Sequence, residues 1–341
     1  MDIGVLLPTS AAQWGDPRDL IAFGQEAERL GFASLFANDS LISPRIEALT
    51  MLAALAPVTT TATLGTGALL PFLRRPVQLA QSLASLDLLS GGRLAVAVGA
   101  GFPGRFGRPF YALSEVPWAR RFARLDETVA LWRALWAGAT SFHGEFFRYD
   151  EMPPATPPFR TEGPPIWLGG ATPAALARTG RLYDGWLPYP PDPADYASGL
   201  AQVHKAAADN GRSSDAVTPA LFVTVLIDED GERRAMDRYA TTVYGMPLTE
   251  LEKVQAVVTG SADQVRAALT RYIEAGARHI VVRLGALDLR TQHHQLERVA
   301  ALIPAWNEIT GAPNSTAQRE GPPGRGQPDE KPEARCGRPG P

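Results

Sequence analysis

The stretch "LAVAVGAGFPGRFGRPF", residues 94–110, decides how the fold is read. It places Gly99-x-Gly101-x-x-Gly104 directly after an apolar run, the spacing of a dinucleotide-binding fingerprint. A working fingerprint opens a helix whose N-terminus takes the pyrophosphate. Here Pro103 falls between the second and third glycines, and Gly107 and Pro109 follow, so no clean helix start is expected. The fingerprint also belongs on the first strand of its fold, whereas several strand-like runs precede Gly99. The glycines need another explanation.

Working outward, short apolar runs alternate with segments of helical period. "DIGVLLP" (2–8), "ASLFAN" (33–38), "TLGTGALL" (63–70) and "RLAVAVG" (93–99) read as strands. Helices are expected over 17–30, 46–59 and 76–89. In the first, Asp16 is the cap, Pro17 opens the helix and Gly31 stops it. A longer helix is expected over 118–137, with Trp118, Phe122, Leu125, Val129, Trp132 and Trp136 on its buried face. "PIWLGG" (165–170), "DGWLP" (184–188), "ALFVTVLI" (220–227) and "HIVVRL" (279–284) complete eight strands, and a last helix is expected near 292–309. Uninterrupted apolar strands separated by helices imply a parallel sheet buried on both faces. Eight such units predict an α/β fold of the (β/α)8 TIM-barrel type with insertions. The insertions are 139–164, where "SFHGEFFRYD" suggests a hairpin, and 229–261.

Composition narrows the classes. Of 341 residues 45% are hydrophobic, enough for a full core. The formal net charge is -3 and no basic stripe stands out, so no nucleic-acid partner is expected. The single cysteine, Cys336, allows neither a disulfide framework nor a thiolate metal site, and no metal is expected. "MDIGVLLPTS" lacks a secretion signal, and no run of 18 apolar residues could span a membrane, so a cytoplasmic protein is expected. From Gly311 the chain is rich in Pro and Gly, which predicts a folded barrel domain over 1–310 and a disordered tail over 311–341.

In a (β/α)8 barrel the chemistry gathers at the C-terminal strand ends. Trp14, Asp39, Ser40, Gly67, Ala68, Gly99, Gly101, Gly169, Gly170, Thr172, Trp186 and Tyr189 all fall at such ends or in the loops after them. Gly99 and Gly101 would then let a bulky flat ligand approach the backbone.

The segments "EAERLGFASLFANDSL", "TATLGTGALL", "RRPVQLAQSLASLDLLSGGRLAVAVGAG", "RRFARLDETVALWRALW", "PPIWLGG" and "YDGW" together resemble the bacterial luciferase-like flavin-dependent oxidoreductases and monooxygenases over about residues 1–305. The resemblance implies reduced FMN, or the deazaflavin coenzyme F-420, at the barrel mouth. It also implies a small-molecule substrate, a separate flavin or deazaflavin reductase, and a homodimer. By position, Gly67 and Ala68 match a strand-three bulge behind the flavin ring, with a non-prolyl cis peptide between them. Asp39 matches an acidic residue after strand two. Gly99 and Gly101 match the loop beside the ring, and Gly169, Gly170 and Thr172 the loop near the cofactor phosphate. Many relatives carry Asp-His or Glu-His where this chain has Asp39-Ser40, so the acid/base group is open, with Asp39 and Ser40 as candidates.

Plainer roles stay open beside these. Asp39 or Ser40 could cap the following turn, and Thr172 before Pro173 could be a helix cap. Trp14, Trp186 and Tyr189 are candidate substrate-pocket residues, or packing. Of Arg74 and Arg75 after strand three, one could face the pocket and the other solvent; Arg105 and Arg108 beside the glycine loop could meet a phosphate or solvent, and Arg93 reads as structural. A flavin-dependent monooxygenase is the expectation. A deazaflavin-dependent hydride-transfer enzyme and a flavin-binding protein without turnover are the alternatives.

Overall fold

The computed structural model describes residues 1–101, 107–229 and 233–310. Arg105 and the tail from Gly311 lie outside the described residues. In chain order the strands are β1 (Asp2–Leu6), β2 (Ser34–Ala37), β3 (Thr63–Leu69), β4 (Leu94–Val98), β5 (Phe142–His143), β6 (Arg148–Tyr149), β7 (Ile166–Leu168), β8 (Gly185–Trp186), β9 (Thr218–Ile227), β10 (Val257–Gly260) and β11 (His279–Leu284). The main sheet runs β9-β11-β1-β2-β3-β4-β7-β8, and β8 pairs back onto β9. All of these pairs are parallel, so eight strands close a (β/α)8 barrel. β10 extends the upper half of β9 beyond β8. The 142–149 hairpin forms as β5 and β6.

The strands are apolar because both of their faces are buried. Ile3, Val5, Leu35, Val96, Leu221, Val223, Ile280 and Val282 point outward into one large core under the helices. Leu6, Phe36, Ala95, Ala97, Trp167, Ala220 and Val281 point inward and pack on each other. Each large side chain taken from water contributes roughly 1.5–3 kcal/mol. Inside the barrel, Phe36, Trp167 and His279 meet at centroid separations of 5.1–5.9 Å, and Ser34 Oγ shares a 2.8 Å hydrogen bond with His279 Nε2. Small neighbours make room for these rings: a Cβ at Gly65 would lie 2.5 Å from Phe36, and one at Gly185 2.4 Å from Trp167. The lower barrel is a solid floor.

The helices are α1 (Asp19–Arg29), α2 (Ala48–Leu55), α3 (Pro76–Leu89), α4 (Arg108–Leu113), α5 (Arg121–Trp136), α6 (Pro173–Leu182), α7 (Pro193–Asp209), α8 (Arg234–Tyr244), α9 (Leu248–Leu251), α10 (Ala262–Glu274), α11 (Leu289–Ala300) and α12 (Ile303–Thr310). Among the described residues no helix is long and apolar enough to cross a membrane.

Several expectations are corrected. A helix does start at Arg108, because Pro109 occupies a first-turn position where no N–H is needed. α1 begins at Asp19 rather than Pro17, since Asp16 is spent on a turn in which it accepts the Arg18 N–H at 2.9 Å. Gly31, at φ +94°, stops the helix as expected. Trp118 precedes α5 and is half-exposed, and Phe122 is exposed, whereas Leu125, Val129, Trp132 and Trp136 are buried. The last helix is two, with Ala301 and Leu302 between them. Arg93 is structural, donating to the carbonyls of Ala56, Thr59, Ala62 and Ser90.

α6 and α7 touch through Gly180, where a Cβ would lie 2.4 Å from the Val203 carbonyl oxygen and 2.6 Å from Ala206 Cβ. Gly180→Val should therefore destabilise the chain by about 1–3 kcal/mol in urea unfolding. Gly15→Ala, with nothing near its Cβ, should leave the midpoint unchanged. A Gly180→Val midpoint equal to wild type would refute this account of the α6–α7 contact.

Candidate active site

Above the floor, the mouth is flat on one side. Gly67, Gly99 and Gly169 sit at the upper ends of the adjacent strands β3, β4 and β7, all half-buried. A Cβ at Gly99 would stand 3.7 Å from Ala68 Cβ, and one at Gly169 3.5 Å from the Leu187 carbonyl oxygen. Without side chains the three positions form a shallow wall that a planar ring can lie against. The Gly67–Ala68 peptide is cis, and the β3–β4 register shifts between Thr66 and Leu69. Gly101, at φ +72°, turns the chain just past this wall.

Asp39 stands at the end of β2, but both of its oxygens are occupied. Arg74 Nη1 donates to Oδ2 at 2.7 Å and Nη2 to Oδ1 at 3.0 Å, while the Leu70 N–H donates to Oδ2 at 2.9 Å. Arg74 also pairs with Glu47. Burial works against the Arg74 charge, and the bonds to Asp39 outweigh it, so its pKa lies above the usual value. Asp39 thus ties the β2 end to the loop after β3. The neighbouring Ser40 accepts the Ile42 N–H at 3.1 Å in an exposed turn.

The loop after β7 opens at the mouth. Gly170 adopts φ +101°, and the exposed Thr172 caps α6 by accepting the Ala175 N–H at 3.3 Å. Trp186 is not at the mouth. Its ring is fully buried between barrel and helices, 5.0 Å from Tyr196, and a Cβ at Gly199 of α7 would touch it. Its indole N–H donates to the Gly170 carbonyl oxygen at 2.9 Å and so braces the glycine loop from behind. Trp14 is half-buried, donating to the Thr9 carbonyl oxygen at 3.1 Å. Tyr189 is half-buried past β8, and burial raises its pKa, with Tyr244 adding to the shift.

Two sets of residues went unseen in the sequence. One lines a cavity of about 290 Å³ beside Gly99 and Ala100. Tyr111, Arg121 and Arg124 face it, beside Arg75, which the sequence did offer as a pocket residue. Arg121 lies 4.0 Å over the Trp118 ring and Arg124 4.7 Å over Phe146, and the Nε atoms of both are buried without a hydrogen-bond partner. Tyr111 stacks 3.7 Å from Phe72, and burial pushes its pKa up to about 12, so it stays neutral beside those arginines. The i, i+3 spacing of Arg121 and Arg124 was the available signal. The other set, around Arg283, occupies the opposite wall. A lone charge within the apolar strand "HIVVRL" was its signal. The five histidines lie elsewhere: His279 in the floor, His143 on the hairpin, His204 on α7, and His293 and His294 on α11.

Comparison with known proteins agrees with this architecture. Residues 1–279 match the luciferase-like monooxygenase family, and the chain belongs to it. It is therefore an oxidoreductase of that family by descent. It is 33% identical over 246 residues to an F420-dependent glucose-6-phosphate dehydrogenase of Nakamurella multipartita, covering 67% of this chain and 69% of that one. It is 33% identical over 184 residues to a phthiodiolone/phenolphthiodiolone dimycocerosates ketoreductase of Mycobacterium kansasii; there the match spans 52% of this chain and only about half, 49%, of the relative. The fold superposes on an F420-dependent secondary alcohol dehydrogenase with a TM-score of 0.76 at 20% identity, covering 89% of this chain and 98% of that one.

Asp39→Ala should lower thermal stability, because it leaves Arg74 and the Leu70 N–H short of an acceptor. The loss should fall below the ~3–5 kcal/mol of breaking a fully buried pair, since Glu47 still holds Arg74. Ser40→Ala should stay within about 0.5 kcal/mol of wild type. Equal melting temperatures for Asp39→Ala and wild type would remove the positioning role.

Proposed function

We propose that the chain is a deazaflavin-dependent oxidoreductase that moves a hydride between coenzyme F420 and a small organic substrate. The supporting observation is the arginine-lined cavity beside Gly99. The F420 side chain carries a phosphodiester and several carboxylates, whereas FMN ends in one phosphate. A cavity holding Arg121 and Arg124 with unpartnered Nε atoms suits the longer, more anionic chain. Gly67, Ala68, Gly99 and Gly101 would hold the ring. Gly169, Gly170 and Thr172 would take the phosphodiester at the start of α6, where free N–H groups favour an anion. The similarity to the Nakamurella dehydrogenase over two thirds of its length favours the same cofactor.

When bound, such a cofactor supplies the hydride-carrying carbon. The chain binds the ring against a wall without side chains, and the Phe36–Trp167–His279 floor excludes water from below. Asp39 is a positioning group in this scheme, because Arg74 and Leu70 occupy its oxygens. A separate reductase that recharges the cofactor, and a homodimeric assembly, belong to the same proposal.

A second reading, a monooxygenase using reduced FMN and oxygen, is favoured by one feature. No histidine stands after β2, where Asp39-Ser40 replaces an acid–histidine pair, so the mouth is poor in proton-transfer groups.

Fluorescence titration with each cofactor separates the two. F420 should bind more tightly than FMN, and Arg121→Gln with Arg124→Gln should weaken F420 at least about tenfold, one charge-assisted hydrogen bond being worth roughly 1.5–3 kcal/mol. Tighter FMN binding, with oxygen consumed in the presence of substrate, would favour the monooxygenase. Thr172→Ala should weaken FMN more than riboflavin, which lacks the phosphate. Equal weakening would make Thr172 a helix cap and nothing more.

A further inference from the structure

Across the barrel from the glycine wall, the mouth is cationic. β11 is four strands from β4 in either direction, so the two stand opposite each other. Strand alternation turns His279, Val281 and Arg283 inward, and Arg283 is the uppermost of the three. Thr224 of β9 is its register partner and shares its inward face. Arg283 Nη1 donates to the Tyr244 hydroxyl at 2.7 Å. Its guanidinium lies 5.1 Å from the Tyr244 ring and 5.7 Å from the Tyr239 ring, both on α8.

Arg45 approaches from the neighbouring loops. A bridge between Ser10 and Arg45 joins the loops after β1 and β2, with Ile46 N–H bonded to the Thr9 carbonyl oxygen at 3.0 Å. The Arg45 side chain donates to Ser43, at 2.7 Å to its hydroxyl. Burial draws the Arg45 pKa below its usual value, and the charge of Arg283 adds to the effect. Among the described residues neither arginine forms an ion pair with a carboxylate. Arginine cannot shed its proton to relieve the repulsion.

The hydroxyls beside these arginines are also incomplete. Among the described residues, Thr224 Oγ1 is buried without a hydrogen-bond partner, and the Tyr239 hydroxyl, which lies against Arg283, has no acceptor for its own proton; both residues are 0% exposed. Buried polar groups are nearly always paired, so each orphan needs a reason. Cation–π contact with the tyrosines satisfies one face of Arg283. It supplies no anion for Arg45 and no acceptor for either hydroxyl. Behind them, Leu226, Met236, Ala240, Leu248 and Leu251 form a buried apolar backing.

We propose that Arg283 and Arg45, with the hydroxyls of Thr224 and Tyr239, bind an oxyanion of the small substrate, a carboxylate or a phosphate. This rests on the glycine wall being the cofactor side. The Arg283 guanidinium and the two hydroxyls stand together on the face opposite the wall, and Arg45 adds its charge from the adjoining loop, which suits an anion with several acceptor oxygens. The substrate would thus be anchored by its charged end, with its uncharged part directed across the mouth.

The test is isothermal titration of the purified chain with inorganic phosphate and with benzoate, and with benzyl alcohol as the uncharged control. One of the anions should bind saturably and the alcohol should not; which anion binds distinguishes a phosphate from a carboxylate substrate. Arg283→Gln and Arg45→Gln should each weaken the anion at least tenfold. Arg283→Lys, which keeps the charge, should weaken it less and guards against misfolding of the glutamine variant. The Arg121→Gln/Arg124→Gln variant should bind the anion within twofold of wild type, and Arg283→Gln should bind F420 within twofold. No saturable anion binding by wild type, or unchanged binding by Arg283→Gln, overturns the oxyanion site and leaves the cofactor assignment intact. Loss of anion binding in the Arg121/Arg124 variant also overturns it, by moving the anion to the cofactor cavity. Failure of F420 to bind wild type, with anion binding lost only in the Arg283 and Arg45 variants, overturns the cofactor reading alone.

Discussion

A closed barrel of eight strands has a fixed interior cross-section, and everything at the mouth depends on how that space is filled. Phe36, Trp167 and His279 fill the lower part, with glycine or alanine at the inward positions beside them. Because interiors pack at crystal-like density, these rings close up the lower barrel. The same inward alternation then continues upward on β3, β4 and β7 with Gly67, Gly99 and Gly169. The result is a solid base under a shallow space bounded on one side by bare backbone.

The loops that frame this space are tied by one connected set of charges. Glu47 caps α2 by accepting the Thr50 N–H at 2.7 Å and also holds Arg74. Burial opposes the Glu47 charge, but the Thr50 bonds and Arg74 outweigh it, so its pKa lies below the usual value. Arg74 in turn grips Asp39, and Asp39 takes the Leu70 N–H. A helix cap, the end of β2 and the chain leaving β3 therefore share one junction, buried at Asp39 and open to solvent at Glu47. Leaving Asp39 unpaired there would be costly, so Arg74 ties the three segments to one another. Asp39 looks like a catalytic carboxylate in the sequence because its partner lies 35 residues away.

The legible part of the fold was the part governed by local chemistry. Strands buried on both faces must be apolar throughout, so all eight barrel strands could be read as runs, and Gly31 and Pro76 marked helix limits for backbone reasons. The facing of individual side chains was less legible. β8 has only two residues, too few for alternation to fix its phase, so Trp186 read as a mouth residue although it faces the helices. Helical period placed Trp118 and Phe122 on the buried face, but α5 starts later and Arg121 stacks on both rings instead. The cationic wall was hidden for a different reason. Arg283, Thr224 and Tyr239 come from two strands and a helix, and the orphaned hydroxyls exist only once β9 and β11 are in register.

Charge distribution gives the mouth a direction. The whole chain carries a formal charge of -3, yet arginines without carboxylate partners among the described residues gather at two places around the mouth. Low-dielectric walls concentrate such fields, so an anion would be drawn to the mouth despite the overall sign. The two places flank the flat wall differently. Arg121 and Arg124 lie on its own side, beyond Gly99, while Arg283 projects from the strand opposite. A cofactor chain anchored at the first and a substrate anion anchored at the second would each be held by the end that does not react. Their uncharged parts would then meet over Gly67, Gly99 and Gly169, which carry no side chains themselves. Holding two reactants by remote charges is an effective way to fix their approach, because binding far from the reacting atoms orients them without competing for the space between them.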